Sequence, residues 1–268
     1  RFAKVEINVS DPIVPFRETI VEPPKVDMVN EVIEDKNLLQ KSSKQTHVLF
    51  QQETDEDIDA DGTVTVHTAN RQVTIKLRAE PLPQDVTELL EKHCSLIRDY
   101  DQALSSRNQE LPETLKKTVA EFWQALVEAF AEAGWPKETV NQIWSMGPRR
   151  CGPNILFNRV PGFQRPALFG RDVIQHKQPT LADFDNSFVS GFQLATLAGP
   201  LCQEPMMGVA FVVDEWLLDL CVEDPGTYGP LSGQIISAVK EGCRRAFQAQ
   251  PQRLLCAMYS CSIQATSD

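Results

Sequence analysis

The stretch of residues 186–208, NSFVSGFQLATLAGPLCQEPMMG, constrains the fold more than any other part of the chain. Phe188 and Phe192 recur at helical spacing, so the first half predicts a helix with an apolar face. Gly199-Pro200 then ends this helix, because glycine accepts the left-handed exit conformation and proline cannot extend the hydrogen-bond ladder. The apolar and β-branched run that follows, residues 208–216, predicts a buried strand. Helix, stop and strand together indicate one packed unit.

The rest of the chain alternates between strand and helix patterns. Period-two alternation predicts a hairpin, and apolar stripes at helical spacing predict two long helices that follow it. The predicted strands cover residues 1–9, 13–20, 64–66, 73–77, 155–157 and 253–263, and the predicted helices cover 84–106, 112–134, 135–144 and 234–248. This mixture predicts an α+β fold in which helices pack on a mixed sheet.

The composition limits the classes of protein to which the chain can belong. Of its 268 residues, 42% are apolar, which is enough for a substantial core. No uninterrupted apolar run approaches the roughly 20 residues of a membrane span, so we expect no membrane partner. The net charge of −11 argues against a generic polyanion binder, because nonspecific affinity for nucleic acid depends on Lys and Arg. A local basic site is compatible with this charge.

Cysteine and histidine give no sign of a metal or catalytic site. The seven cysteines form neither CxxC pairs nor sets with histidine at ligand spacing, which favours reduced, buried thiols in a cytosolic or nuclear compartment. His93 falls on the apolar stripe of the helix predicted over residues 84–106, with no ligand-type residue four positions on. We therefore predict a half-buried, hydrogen-bonded histidine.

A loop predicted over residues 146–154 carries two arginines between two Gly-Pro pairs. The glycines and prolines keep this loop from joining either neighbouring element. Arg149 and Arg150 can then present exposed guanidinium groups, which hold phosphate or carboxylate in a bidentate manner. A plain solvated loop is the alternative. The loop lacks the glycine spacing and the Lys-Ser/Thr pair of a nucleotide-binding loop.

The acidic segment from Asp57 to Gly62 matches the opening of a calcium-binding EF-hand loop. Such a loop needs a bidentate Glu at its twelfth position, which here is Thr68. Residues 63–67 also read as a strand where the loop should lead towards a helix. A solvated acidic turn is the favoured interpretation, and a calcium-binding module is the alternative.

Several motifs, in order, resemble one family. Residues 10–19, SDPIVPFRET, are similar to the end of domain III of elongation factor 2-type translational GTPases. Four further segments resemble, in order, the sequence of these proteins from domain IV into domain V. They are IWSMGP with GPN at 143–154, SGFQLAT with GP at 190–200, GQII at 233–236 and PQRLL at 251–255. The resemblance implies the end of domain III at 1–22, domain IV at 23–250 with an insertion at about 25–66, and the first strand of domain V at 251–268. It also implies a sandwich like domain 2 of ribosomal protein S5.

Within this family the chain departs from the translocase. Gly229 stands where elongation factor 2 carries the histidine that becomes diphthamide. Residues 150–156, 189–197, 228–234, 257–259 and 265–268 resemble instead the members that act in late maturation of the large ribosomal subunit. Domain IV of a translocase or of the spliceosomal relative is the alternative.

The resemblance implies a function for the parent protein and a narrower one for this chain. The parent would be a cytoplasmic GTPase that uses GTP and Mg²⁺, works with the SBDS protein on the 60S subunit and promotes release of the anti-association factor 6. The chain has no GxxxxGK[ST] or Asn-Lys-x-Asp motif, so we predict no GTP binding and no catalytic residue.

The resemblance further implies that the tip loops of domain IV reach the ribosomal subunit and its rRNA. Plain turns are the alternative interpretation of these loops. The contact candidates are Thr68, Ala69, Asn70 and Arg71 in the first loop, Thr227, Tyr228, Gly229, Ser232 and Gly233 in the second, and the pair Arg149 and Arg150 as phosphate ligands.

Overall fold

A computed structural model describes residues 15–22, 57–59, 61–105, 112–163, 179–219 and 228–258. The strands predicted over residues 1–9 and after 258, and the passage over 25–52, lie outside the described residues. The described strands are β1 Phe16–Ile20, β2 Val64–His67, β3 Val73–Pro81, β4 Ile143–Gly147, β5 Asn154–Asn158, β6 Val209–Leu218 and β7 Gln252–Cys256. The described α-helices are α1 Gln84–Lys92, α2 Cys94–Ser105, α3 Glu113–Glu132, α4 Pro179–Asp183, α5 Asp185–Leu197 and α6 Leu231–Gln248, with a 3-10 turn at Lys137–Gln142.

Five of the described strands form one mixed sheet in the order β2-β3-β6-β5-β4. The β2–β3, β3–β6 and β4–β5 pairs are antiparallel, whereas β5 runs parallel to β6. Helices pack on this sheet, so the α+β prediction is confirmed.

Strand β6 is the centre of the sheet and is buried on both faces. Phe211, Val213 and Trp216 face a core that is closed by helices α5 and α6. Ala210 and Val212, on the opposite face, pack in a second core with helices α1, α2 and α3. A strand buried on one face alternates apolar and polar residues. This strand has a continuous apolar run instead, because both of its faces are buried.

Four aromatic side chains bind the outer strand β4 to the centre of the sheet. Trp144 stacks on Phe188 of α5 with ring centroids 4.5 Å apart, and Phe188 lies 4.9 Å from Trp216 of β6. Phe163 closes the group against Trp216 in an edge-on contact. In the passage after β5, Val160 and Phe163 are buried and belong to this core.

Two predicted element boundaries were wrong. The single helix expected over residues 84–106 is broken at His93, whose Nδ1 hydrogen bonds to the Leu89 carbonyl oxygen at 2.9 Å and lies beside the Phe122 ring. The half-buried, hydrogen-bonded state of His93 itself is confirmed. Ile143–Gly147 was divided between a helix and a loop but forms the edge strand β4. Its five buried residues give no alternating pattern, because Trp144 packs in one core and Ile143 and Met146 pack in the other.

Strands β1 and β7 form a separate antiparallel ladder, in which Phe16 pairs with Cys256 and Ile20 with Gln252. The chain segments that enter and leave the five-stranded sheet are therefore paired with each other.

Among the described helices, none is both long and apolar enough to cross a bilayer.

A buried carboxylate attaches this ladder to the sheet. Glu18 of β1 is fully buried and accepts hydrogen bonds from the backbone N–H groups of Leu201 at 2.8 Å, Cys202 at 2.9 Å and Glu204 at 3.1 Å. A Cβ atom at Gly199 would lie 2.1 Å from the Glu18 Oε2 atom, so only glycine fits there. Helix α5 ends at Leu197, as the stop predicts, but Gly199 does not adopt the predicted left-handed conformation. Its lack of a side chain instead makes room for Glu18.

Replacement of Glu18 by Ala should lower the free energy of unfolding by about 2–3 kcal/mol, because backbone donors lose a charged acceptor. Urea denaturation measures this change. Glu22→Ala, at an exposed position in the same segment, is the matched control and should change the free energy by less than about 0.5 kcal/mol. Equal unfolding midpoints for the two variants would contradict the assigned role.

Candidate functional site

The two predicted tip loops lie together at one end of the five-stranded sheet. Residues 68–71 form the turn between β2 and β3, and residues 228–230 lead into α6. Thr227 lies outside the described residues. The two loops meet through Gln234, in the first turn of α6, whose Oε1 atom accepts the Asn70 backbone N–H at 3.1 Å. Its Nε2 atom donates to the Gly229 carbonyl oxygen at 3.0 Å.

The first loop is held by its own side chains. The Thr68 hydroxyl donates to Asn70 Oδ1 at 2.7 Å and accepts the Val73 N–H at 3.0 Å. Asn70 Oδ1 also accepts the Gln72 N–H, while Asn70 Nδ2 donates to Gln72 Oε1. Thr68 and Asn70 are therefore buried frame residues of the turn and are not available as contact surface.

The exposed surface of the tip combines a cation, an aromatic ring and a helix N-terminus. Arg71 has a φ of 58° and an exposed side chain, and Tyr228 is 54% exposed. Helix α6 begins at Leu231, immediately after this loop, with its positive dipole end at the same place. Ala69, Gly229 and Gly233 are exposed and Ser232 is half-buried, so backbone can also approach a partner. Such groups suit phosphate oxygens and unstacked bases.

Arg149 and Arg150 lie at the opposite end of the sheet. Their loop joins β4 to β5, and β5 begins beside the start of β6, where Ile155 pairs with Ala210. The tip lies beyond the end of β6, where Leu218 pairs with Val73. Because β6 has ten residues, the two ends are separated by about 30 Å. The predicted contact residues therefore form two sites, which we call the tip and the base.

The arginine loop at the base has a constrained backbone. Arg149 and Arg150 have φ values of 57° and 59°, a backbone region that residues other than glycine rarely occupy. The Arg150 N–H donates to Gln193 Oε1 at 2.8 Å, which fixes the loop against α5. A Cβ atom at Gly152 would lie 2.4 Å from the Pro148 ring, so the turn requires glycine. This frame exposes both arginine side chains.

An aspartate, a third arginine and two cysteines surround the arginine pair at the base. Arg150 Nη1 lies 3.7 Å from Asp101 Oδ1, in a half-exposed pair whose contribution to stability is small. Arg98 adds a third guanidinium group, with Nη2 3.7 Å from Cys151 Sγ and 3.8 Å from Cys94 Sγ. Burial raises the pKa of the Cys94 thiol, and the adjacent Cys151 raises it further. Cys94 is half-buried. The prediction of buried cysteines holds for Cys151 and Cys243 and was wrong for Cys202 and Cys256, which are exposed.

Asn154, which sequence reasoning treated only as the end of this loop, organises the base. Its fully buried side-chain amide donates to the carbonyl oxygens of Gly147 at 2.9 Å and Met206 at 2.7 Å. Its Oδ1 atom accepts the Val209 N–H at 3.1 Å. Asn154 therefore connects the arginine loop to the start of β6.

The acidic segment forms a hairpin turn. Ile58 pairs with Val64, and the Asp59 N–H donates to the Thr63 carbonyl oxygen at 2.8 Å. Asp61 Oδ1 accepts the Thr63 N–H at 3.0 Å, which lowers the pKa of this carboxyl. This geometry is that of the acidic turn. Within the described ranges, no group of three or more His, Cys, Asp or Glu residues is placed to hold a metal ion.

Sequence comparisons with known proteins point to one family. Residues 78–159, which run from β3 through the arginine loop to the end of β5, match the family model described as elongation factor-like GTPase 1-like domain. Over its whole length the chain is 38% identical to elongation factor-like GTPase 1 of Mus musculus and 39% identical to that of Homo sapiens. It is also 31% identical over its whole length to ribosome assembly protein 1 of Schizosaccharomyces pombe.

The chain covers 29% of the mouse protein, 28% of the human protein and 25% of the fission yeast protein. It therefore spans less than a third of the length of these relatives. The match over the whole of this chain and the match to the family model agree, and the chain belongs to the elongation factor-like GTPase 1 family.

Proposed function

We propose that the chain is a non-catalytic, ribosome-binding region of a GTPase that acts in maturation of the large (60S) ribosomal subunit. Relatives named elongation factor-like GTPase 1 and ribosome assembly protein 1 support this assignment. In this proposal the parent protein binds GTP and Mg²⁺ outside this chain, works in the cytoplasm with the SBDS protein and promotes release of the anti-association factor 6. The chain supplies contact surface.

The observation that carries the proposal is the joined tip. Two loops that are far apart in the sequence meet in one surface through hydrogen bonds to Gln234. This surface presents Arg71, the Tyr228 ring and the N-terminus of α6, which suit the phosphates and splayed bases of rRNA. The ladder of β1 and β7 attaches the other end of the sheet to its flanking segments, so the tip lies at the end away from this attachment.

The arginine loop is a second contact in this proposal, separate from the tip. Arg149 and Arg150 face outward at the base, next to Arg98. Their constrained loop presents a fixed pair of guanidinium groups, which suits an rRNA phosphate. The two sites make independent predictions, because a charge change at one end of the sheet lies about 30 Å from the other end.

We expect Arg71→Glu to weaken binding of the chain to purified large subunits by about tenfold and to lower the slope of log K against log salt by about one. Arg149→Glu/Arg150→Glu should weaken binding through the base and lower the slope by about two. Co-sedimentation across a salt series measures both effects.

Arg253→Glu is the matched control, because it makes the same charge change on an exposed residue of β7. It should leave the affinity within about twofold, given the screening of distant surface charges. Equal loss in all three variants would indicate nonspecific electrostatics and would overturn the proposal. Unchanged binding in Arg71→Glu alone would remove the tip from it.

We also expect that the chain binds no GTP. Titration of the chain into a fluorescent GTP analogue with Mg²⁺ should give no saturable change, because the sequence lacks the phosphate-binding and guanine-binding motifs. Saturable, magnesium-dependent binding would contradict a purely recognitive role.

A further inference from the structure

We propose that Gln234 is the positioning residue of the tip, which holds its two loops in the arrangement that binds the ribosomal subunit. This inference rests on the function proposed above and assigns the task of pre-organisation to one side chain. Gln234 itself is 7% exposed, so it is not a contact residue. It acts through the loops on either side.

Both the oxygen and the nitrogen of the Gln234 side-chain amide form hydrogen bonds to backbone groups. Its oxygen accepts the N–H of Asn70, a residue 164 positions away in the sequence and 8% exposed. Its nitrogen donates to the carbonyl oxygen of Gly229 at 3.0 Å. The two bonds fix the orientation of the amide, because the reverse orientation would oppose donor to donor and acceptor to acceptor.

The core holds Gln234 in place. The next residue, Ile235, is fully buried, and Val239 and Cys243 continue the same buried stripe of α6 against the sheet. The N–H of Gln234 also bonds to the Pro230 carbonyl oxygen at the start of the helix. The side chain therefore connects the start of a buried helix to both loops.

This arrangement lowers the cost of binding. Arg71 and Tyr228 stand on different loops, and a partner that contacts both must fix their separation. When Gln234 has already fixed it, less conformational entropy is lost on association. Without the bridge, the Asn70 N–H loses its acceptor and the turn can open independently of α6.

Two substitutions separate the two hydrogen bonds. Gln234→Leu removes both, whereas Gln234→Glu retains an acceptor for the Asn70 N–H and places an oxygen against the Gly229 carbonyl. Hydrogen exchange of the 268-residue chain should show exchange about tenfold faster or more in both loops of the Leu variant, and at the amides of Tyr228 and Gly229 alone in the Glu variant. Gln248→Leu, on an exposed position of the same helix, is the matched control.

The functional readout is co-sedimentation with purified large subunits, at a temperature where all variants are folded. We expect Gln234→Leu to bind about tenfold more weakly, with a shallower salt slope, and Gln248→Leu to bind as wild type does. A merely structural role would lower the melting temperature and leave affinity and slope unchanged in the folded protein. That result would overturn the inference.

The outcome also distinguishes this inference from the proposed function. Faster loop exchange with full subunit binding in Gln234→Leu would refute positioning while the ribosome-binding proposal stands. Unchanged loop exchange in that variant would likewise refute positioning. Absence of binding by the wild-type chain would refute the proposed function and, with it, the inference that depends on it.

Discussion

The rest of the structure depends on the burial of strand β6 on both faces. Helices α5 and α6 close one face and α1, α2 and α3 the other, so the strand can neither slip nor turn over without exposing a core. Fixing β6 fixes the two ends of the sheet. At its start lie the arginine loop, Asn154 and the Glu18 attachment, and beyond its end lie the tip loops. The five-stranded sheet thus has two chemically different ends.

Each end is organised by buried polar side chains that hold backbone. Glu18 and Asn154 bond to backbone groups at the base, and Gln234 bonds to backbone groups at the tip. Buried polar groups that find every partner specify one arrangement, because any other leaves a donor or acceptor unpaired. Contact surfaces held in this way keep a fixed position relative to the sheet, which is what the proposed ribosome-binding function requires.

The amino-acid pattern predicted most of the scaffold and little of the site geometry. Helices α3, α5 and α6 and strand β6 have long periodic or apolar runs, which report burial directly. Strand β4 has only five residues, and His93 breaks a stripe that continues on both sides, so neither leaves a local signal. The separation of Arg149 from Arg71 depends on strand pairing, and the Gln234 bridge spans 164 positions. No local pattern encodes either feature.

The most direct test of this account is the hydrogen-exchange footprint of the chain on purified large ribosomal subunits. The account predicts that binding slows exchange at residues 68–72 and 228–234 and around residues 149–150, while the outer edge of the β1–β7 ladder exchanges as in the free chain. Protection confined to that ladder, with the tip and the arginine loop unchanged, would contradict it, because neither of the two proposed contacts would then meet the ribosome.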